Sequence, residues 1–178
     1  MTQTILPPFL FWTFIIVLGL VIGSYLHVMI DRLPRMLGLA PKPTTQLQKH
    51  YNLAWPRSHC PHCGTTLRIK DLIPLVSFLL LRGRCRYCQQ PISWAYPLTE
   101  LFTAVAFVIL VLVFGAQWHT VAAAIFTSSL IVLAVIDSRY HVLPDSITLP
   151  ILWLGLFVNL NSTFVPITDA VIGAIVGY

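Results

Sequence analysis

The sequence predicts an all-α polytopic membrane protein with about four complete transmembrane helices, the start of a fifth, and a polar loop domain after the first helix. Three observations support this fold class. Hydrophobic residues make up 57% of the 178-residue chain and charged residues 10%, whereas soluble domains are roughly half apolar and a quarter charged. The apolar residues form long runs. Ten of the 11 Lys and Arg residues lie between positions 32 and 86, as expected of a loop on the cytosolic side of a membrane.

The first transmembrane helix is predicted over residues 1–30, which contain an apolar run at 9–30. At about 1.5 Å per residue, this run reaches across a hydrocarbon core of about 30 Å. It is too long for a signal-peptide core and follows no basic region, so we expect it to remain attached. Gly19 and Gly23 stand four residues apart on the helix, a spacing at which small residues let a second membrane helix pack closely.

The cations that follow this helix predict its orientation. Membrane proteins concentrate Lys and Arg in cytosolic loops, which places the amino terminus outside and residues 31–95 in the cytosol. A net charge of +5 can also accompany nucleic-acid binding. The chain has no basic helix and no nucleic-acid motif, however, so we expect no nucleic-acid partner.

Further membrane segments are predicted within residues 96–178. Three further apolar runs, the second to fourth of the chain, lie at 98–114, 121–136 and 147–160. A fifth run begins near residue 165. The last ten residues, 169–178, are too short to cross a bilayer, so we expect a fragment of a longer protein or a partner chain that supplies the missing helices. Glu100 lies in the first turn of the second segment, where it is either a helix-start charge or a functional group.

The four cysteines of the chain form two Cys-x-x-Cys pairs, Cys60/Cys63 and Cys85/Cys88, with residues 64–84 between them. Each pair can place two thiolates on one tight turn, and two such turns complete a tetrahedral zinc site. Disulfides or free thiols are the alternative. A proline-rich domain with little core of its own usually needs such a metal, so we expect structural zinc.

The surroundings of the cysteines agree with a metal site in a reducing compartment. Arg84 and Arg86 flank one cysteine and would favour its thiolate form. Three histidines, His50, His59 and His62, are near in sequence, but four thiolates already fill a tetrahedron, so we expect the histidines to be bystanders. Reduced cysteines in the Lys- and Arg-rich loop fit the cytosol.

One short apolar segment lies inside the polar loop, at residues 73–81 (IPLVSFLLL). This segment is too short to span a bilayer. It could rest on the cysteine-containing domain, insert shallowly into the membrane interface or form a buried strand, and the sequence does not separate these possibilities.

The candidates for acid chemistry lie between the third and fourth membrane segments. Asp137 directly follows an apolar run, so it is expected where headgroups meet water and where partial desolvation can tune a carboxyl group. Its structural alternative is a solvated helix-end charge, with or without an ion pair to Arg139. Asp145 precedes another apolar run and follows Pro144, a pattern typical of a helix N-cap.

Seven motifs carry a resemblance to a known family. They lie at residues 23–34 (GSYLHVMIDRLP), 60–64 (CPHCG), 71–77 (DLIPLVS), 83–88 (GRCRYC), 96–101 (YPLTEL), 137–145 (DSRYHVLPD) and 148–159 (TLPILWLGLFVN). In these motifs and in their order the chain resembles the type IV prepilin peptidases, membrane enzymes with leader peptidase and N-methyltransferase activity. The resemblance covers nearly the whole chain.

The resemblance implies an aspartyl protease at the cytosolic face of a bacterial inner membrane, with Asp137 as one half of the catalytic pair and a periplasmic amino terminus. Its substrates would be the prepilins and pseudopilins of type IV pili and type II secretion, whose basic leaders precede an apolar helix. It also implies methylation of the new amino terminus with S-adenosylmethionine. No glycine-rich loop marks a site for that donor, so S-adenosylmethionine is implied by the resemblance alone.

The chain departs from the family pattern in ways that affect these expectations. The family's second aspartate lies in a Gly-x-Gly-Asp motif, and the 178 residues contain none. We therefore expect this chain alone to lack peptidase activity. Tyr25 and His27 stand where the family has Phe and Asn, which puts the inner end of the first helix, and with it methyl transfer, in question.

Two other classes of function stay open at this stage. One is a non-enzymatic membrane module whose zinc-binding loop contacts a pilus or secretion machine. The other is a metal or ion transporter that uses the thiolates and Asp137. Acids in the middle of the membrane segments would be expected of a transporter, and the first, third and fourth segments have none there.

Overall fold

The computed structural model of the protein describes residues 7–41 and 51–177. The chain divides into two compact units, Met1–Val108 and Ile109–Tyr178, which are described separately. The predicted helical character is confirmed. The α-helices within the described ranges are α1 (Pro8–Met36), α2 (Val76–Leu80), α3 (Ala95–Phe114), α4 (Trp118–Tyr140), α5 (Asp145–Val158) and α6 (Ile167–Gly177), and two 3-10 turns occupy Ile69–Asp71 and Asn159–Asn161.

Three helices of the described chain, α1, α3 and α4, are long and apolar enough to cross a membrane. The fourth predicted span corresponds to α5, which has 14 residues and at about 1.5 Å per residue is shorter than a hydrocarbon core. The side chain of Asn159 explains why α5 ends there. Its Oδ1 accepts the backbone N–H groups of Phe164 and Val165, 3.0 and 3.1 Å away, which turns the chain out of the helix.

Helix α1 continues past the apolar run, through Arg32 and Pro34 to Met36. The Arg32 side chain is buried, and its guanidinium donates hydrogen bonds to the carbonyl oxygens of Asn52 and Pro56 at 2.9 and 2.6 Å. Arg32 therefore also holds the segment that precedes the cysteines, whereas the sequence suggested it only as a topology signal.

The small residues of α1 lie directly against α3, as their spacing predicted. A Cβ atom added at Gly19 would lie 2.5 Å from the Cα of Ala104, and one added at Gly23 would lie 2.7 Å from the Cα of Glu100. Both distances are far below a normal carbon contact, so only glycine permits this approach. Because the residue number rises along α1 as it falls along α3, the two helices are antiparallel.

The second unit is a helical array in which α4 packs on α5 and α5 packs on α6. A short turn connects the first two of these helices. It begins at His141, which has a left-handed backbone (φ +52°) and donates its N–H to the Asp137 carbonyl oxygen at 2.8 Å. The core of this unit includes Ile131, Val132, Leu133, Ile136, Ile147 and Val158, all of them buried.

Candidate metal centre and candidate active site

The first cysteine pair lies on a tight turn that the backbone closes. The Cys60 N–H donates to the Thr65 carbonyl oxygen at 3.0 Å, and the Gly64 N–H donates to the Cys60 carbonyl oxygen at 2.9 Å. Gly64 has φ +68°, a left-handed conformation that glycine adopts without steric cost. We call residues 60–65 the first knuckle. It brings Cys63 back beside Cys60 without help from a regular helix or sheet.

The second cysteine pair repeats this pattern further along the chain, and we call residues 85–90 the second knuckle. The Cys85 N–H donates to the Gln90 carbonyl oxygen at 2.9 Å, and the Gln89 N–H donates to the Cys85 carbonyl oxygen at 3.0 Å. Gln89 occupies the position of Gly64 and has φ +58°. The two knuckles therefore share one backbone design, with a glycine at the left-handed position in only one of them.

The two knuckles bring all four sulfur atoms together. Every pair of Sγ atoms lies within 4.8 Å, and the Cys60 and Cys88 sulfurs are 3.8 Å apart. A zinc ion with Zn–S bonds of about 2.3 Å requires sulfur separations of about 3.8 Å. The cysteines are free rather than disulfide-bonded. Within the described ranges this is the group that could hold a metal ion, and His59 and His62 are not part of it; His50 lies outside those ranges.

The chemistry of the four thiols also suits a cation. Hydrogen bonds from the hydroxyl and the backbone of Thr65 lower the pKa of the Cys63 thiol to about 6. At Cys88, a backbone hydrogen bond from Gln90 is outweighed by desolvation and the neighbouring sulfurs, which raise its pKa to about 11. One thiolate therefore forms easily and another resists ionisation beside it. A divalent ion would remove that mutual repulsion, so the residues fit a bound metal.

An ion pair braces the second knuckle. Arg86 Nε donates to Asp71 Oδ1 at 2.7 Å, and the Asp71 side chain is 2% exposed. Desolvation opposes ionisation of this carboxyl group, but the Arg86 bond and the Arg68 N–H outweigh it and lower the pKa of Asp71. The pKa of Cys85 is lowered by backbone N–H groups, chiefly that of Cys88. Backbone hydrogen bonds thus favour the Cys85 thiolate, and a contribution of the flanking arginines stays a prediction.

A buried carboxylate that sequence reasoning left undecided connects the loop domain to α3. Glu100 is 7% exposed and lies in the second turn of α3, not the first. Its Oε2 accepts the backbone N–H of Leu75 at 2.8 Å. Leu75 has φ +55° and immediately precedes α2. The sequence signal for a role of Glu100 was an isolated acid inside an apolar run. Its partner, the Leu75 N–H in the loop, could not be predicted from the sequence.

Next to Glu100, the facing ends of α1 and α3 share further polar contacts. His27 Nδ1 lies 3.2 Å from Thr99 Oγ1, and the His27 ring lies against Tyr96 with the centroids 3.8 Å apart. Thr103 donates its hydroxyl to the Thr99 carbonyl oxygen at 2.8 Å. The position where this chain has His in place of the family's Asn is thus within this buried polar contact.

Asp137, the predicted catalytic residue, is exposed and lies one turn before the end of α4. Within the described ranges no ion pair links it to Arg139, and an exposed residue at this position also fits the alternative of a solvated helix-end charge. Ile136, directly before it, is fully buried. The carboxylate is therefore accessible from outside the helix, next to a side chain that packs in the core.

Asp145 is not the N-cap that its sequence position suggested. Pro144 occupies the cap position with an extended backbone (φ −66°, ψ 122°), and Asp145 is the first helical residue of α5, with no side-chain capping bond. The proline fixes the backbone angle at which the helix starts, which moves the boundary by one residue. Asp145 still lies at the positive end of the helix dipole, where a carboxylate is favourable.

Two family models match this chain and together cover most of it. Residues 17–114 match the bacterial peptidase A24 N-terminal domain. Residues 124–178, which include Asp137, match the type IV leader peptidase family. The chain belongs to the type IV leader peptidase family. No solved structure has significant similarity to it.

Curated relatives agree with this family membership. The chain is 46% identical over 169 residues to a prepilin leader peptidase/N-methyltransferase of Pectobacterium carotovorum subsp. carotovorum, covering 91% of this chain and 61% of the relative. It is 44% identical to one of Burkholderia pseudomallei (strain 1026b), covering 97% and 60%, and 42% identical to one of Klebsiella pneumoniae, covering 96% and 72%. The chain therefore spans less than two thirds of the length of the first two relatives.

Proposed function

We propose that this member of the type IV leader peptidase family acts as a prepilin leader peptidase and N-methyltransferase, with Asp137 as one of two catalytic aspartates. The observation that carries the proposal is the family match over residues 124–178, because it includes Asp137. The exposed carboxylate at the end of α4 supports the same role. The substrates would be prepilins and pseudopilins, cut after their basic leaders at the cytosolic face of the inner membrane.

The proposed chemistry needs two carboxyl groups. One aspartate removes a proton from the attacking water, and the other donates a proton to the departing amine, so the pair must share protons between them. Asp137 would supply one of these groups. The second would come from a Gly-x-Gly-Asp segment outside the 178 residues, in the same polypeptide or in a partner chain. We expect residues 1–178 by themselves not to cleave a prepilin.

We propose that Cys60, Cys63, Cys85 and Cys88 hold one structural zinc ion. The 3.8 Å between the Cys60 and Cys88 sulfurs and the matching knuckles support zinc over a larger or harder ion. Bound zinc supplies the charge that lets four thiolates share one site. S-adenosylmethionine is the proposed methyl donor by family resemblance, and none of the described residues is assigned to its binding.

We propose an inner-membrane topology in which the amino terminus is periplasmic and the cysteine-containing loop is cytosolic. Ten of the 11 cations in that loop support this orientation. The proposed division is residues 1–30 for the first span, 31–95 for the zinc-binding domain, and 96–178 for three further spans and the start of a fifth. In this arrangement α5 would be the fourth span, with Leu143 and Pro144 at its membrane boundary.

The experiment that tests the peptidase assignment uses a polypeptide in which residues 1–178 are joined to the Gly-x-Gly-Asp region of a full-length relative. Purified protein is incubated with a prepilin, and the leader is followed by mass spectrometry. Because general acid–base groups contribute roughly 100- to 10,000-fold to rates, Asp137→Asn should slow cleavage by about 100-fold or more. Asp145→Asn, at the other exposed aspartate of the same motif, should retain most activity.

Two outcomes would contradict the proposal. Cleavage at an unchanged rate by Asp137→Asn would remove this residue from the chemistry. Cleavage by the 178-residue chain alone, abolished by Asp137→Asn, would show that no second aspartate from outside these residues is needed. The second outcome would leave the peptidase assignment in place and overturn the two-aspartate account of it.

A further inference from the structure

The short helix α2 has its apolar residues arranged in an unusual way. Phe78 points into the loop domain, where its ring lies 4.9 Å from that of Trp94. Val76, Leu79 and Leu80 are 48%, 70% and 78% exposed. Residues three and four apart share one side of a helix, so these three side chains form a single outward face. We call this the α2 face.

The position of the α2 face is fixed relative to a membrane-spanning helix of the same unit. The residue before α2, Leu75, donates its N–H to Glu100 in the second turn of α3. Helix α3 has 20 residues, about 30 Å at 1.5 Å per residue, which just matches a hydrocarbon core. When α3 crosses a bilayer, its first turns lie at the boundary between headgroups and acyl chains, and α2 begins at that level.

Trp94 gives a second indication of the same depth. It immediately precedes α3, is 68% exposed, and contacts Phe78 of α2. Tryptophan is enriched at membrane–water interfaces, because its ring is apolar and its N–H is polar. The residue that flanks the membrane helix and the helix that carries the exposed leucines are thus side by side.

The chain segment that contains the α2 face has a charge balance that suits an anionic lipid surface. Residues 68–86 contain five cations and one acid, and that acid, Asp71, is bound by Arg86. The other four cations are exposed, namely Arg68, Lys70, Arg82 and Arg84. Cations beside exposed apolar side chains are typical of segments that lie in the interface of an anionic bilayer.

We propose that the α2 face inserts into the interfacial region of one bilayer leaflet, the one on the side of residues 60–90, which we call the cysteine lobe. The four exposed cations then contact anionic lipid headgroups. The loop domain is then held at the membrane surface at three points, namely α1, α3 and α2. This lipid contact selects one of the three possibilities that the sequence left open for residues 73–81. It holds whether or not Asp137 is catalytic.

Photochemical crosslinking tests this docking directly. A diazirine amino acid replaces Leu80, Val105 or Gln89, one at a time, in the full chain reconstituted in vesicles of phosphatidylethanolamine and phosphatidylglycerol. Val105 is the positive control because it is exposed in the middle of α3, and Gln89 is the polar control on the second knuckle. After illumination, mass spectrometry identifies the adducts. A probe at Leu79 replaces the one at Leu80 if the latter lowers the metal content.

The proposal predicts lipid adducts at Leu80 in a yield close to that at Val105 and several-fold above that at Gln89. Replacing phosphatidylglycerol with phosphatidylcholine should lower the Leu80 yield and leave the Val105 yield unchanged, because only the α2 face relies on headgroup charge. A Leu80 yield no higher than that of Gln89, or adducts formed with protein instead of lipid, would overturn the docking. A Leu80 yield independent of lipid charge would overturn the role of the cations.

Discussion

The cysteine lobe and the end of α4 each present side chains that chemistry could use, but the two are built in different ways. In the lobe, the sulfurs are held by paired backbone turns and by the Asp71–Arg86 brace, so each ligand faces the other three. At the end of α4, the exposed Asp137 directly follows the buried Ile136. The first is a closed group of four side chains, and the second is a single side chain open to its surroundings.

This difference indicates which kind of function each region can have. A metal that holds a fold needs all its ligands from one rigid neighbourhood, and the lobe provides them within the single segment from Cys60 to Cys88. A proton-transferring group must instead reach a substrate and a second acid. We therefore expect substitutions in the lobe to affect metal binding and folding, and substitution of Asp137 to affect chemistry alone.

The largest expected effect is the loss of metal from the lobe. Cys60→Ser removes a buried thiolate ligand, and the remaining three sulfurs cannot complete the tetrahedron. We expect bound zinc, measured by elemental analysis, to fall to a small fraction of one ion per chain, and the loop to become sensitive to limited proteolysis. The matched control is His59→Ala, next to the ligand but outside the cluster, which should keep full metal content. Full metal in Cys60→Ser would rule out the four-thiolate site.

A smaller effect is expected where the lobe is tied to α3. Glu100→Ala leaves the Leu75 N–H without its acceptor, and a lost partner for a buried group costs about 1–3 kcal/mol. Hydrogen exchange at the Leu75 amide should accelerate about tenfold or more, since about 1.4 kcal/mol corresponds to a factor of ten. Glu100→Gln keeps a carbonyl oxygen at the same place and should preserve most of the protection. Equal exchange in both variants would show that this bond does not hold the lobe.

The smallest effect in the lobe is expected from substitutions at the residue with a left-handed backbone in each knuckle, Gly64 and Gln89. Gly64→Ala introduces a Cβ at φ +68° and should destabilise the first knuckle by about 1 kcal/mol. Gln89→Gly relieves the same strain at φ +58° and should stabilise the second. Zinc affinity, measured by competition with a chelator, should therefore fall in the first variant and rise in the second. Changes of the same sign would contradict the shared backbone design.

The cysteine site could be predicted from the sequence because its geometry is local. Cys-x-x-Cys spacing alone dictates a turn, and two such turns need only one closing contact. The long helices α1, α3 and α4 were predicted for a similar reason, since each contains an apolar run of membrane length. Their ends were less predictable: α1 runs on to Met36 and α5 starts at Asp145, because side-chain and proline geometry decide where a helix begins and ends.

The contacts that depend on distant residues could not be predicted. The burial of Arg32 depends on the carbonyl groups of Asn52 and Pro56, far along the chain, and the role of Glu100 depends on one backbone N–H in the loop. In each case a charged residue had a plausible solvated role in the sequence, and only the tertiary fold gives it a partner. The orientation of the α2 face required the same information.

The central claim is that the metal site and Asp137 are independent features, one for folding and one for chemistry. Elemental analysis of the purified Asp137→Asn protein tests it most directly, beside the unsubstituted chain. We predict about one zinc ion per chain in both, because a four-coordinate thiolate site has no place for a carboxylate ligand. A clear loss of zinc in Asp137→Asn would contradict the claim, because it would make the carboxylate part of the metal site.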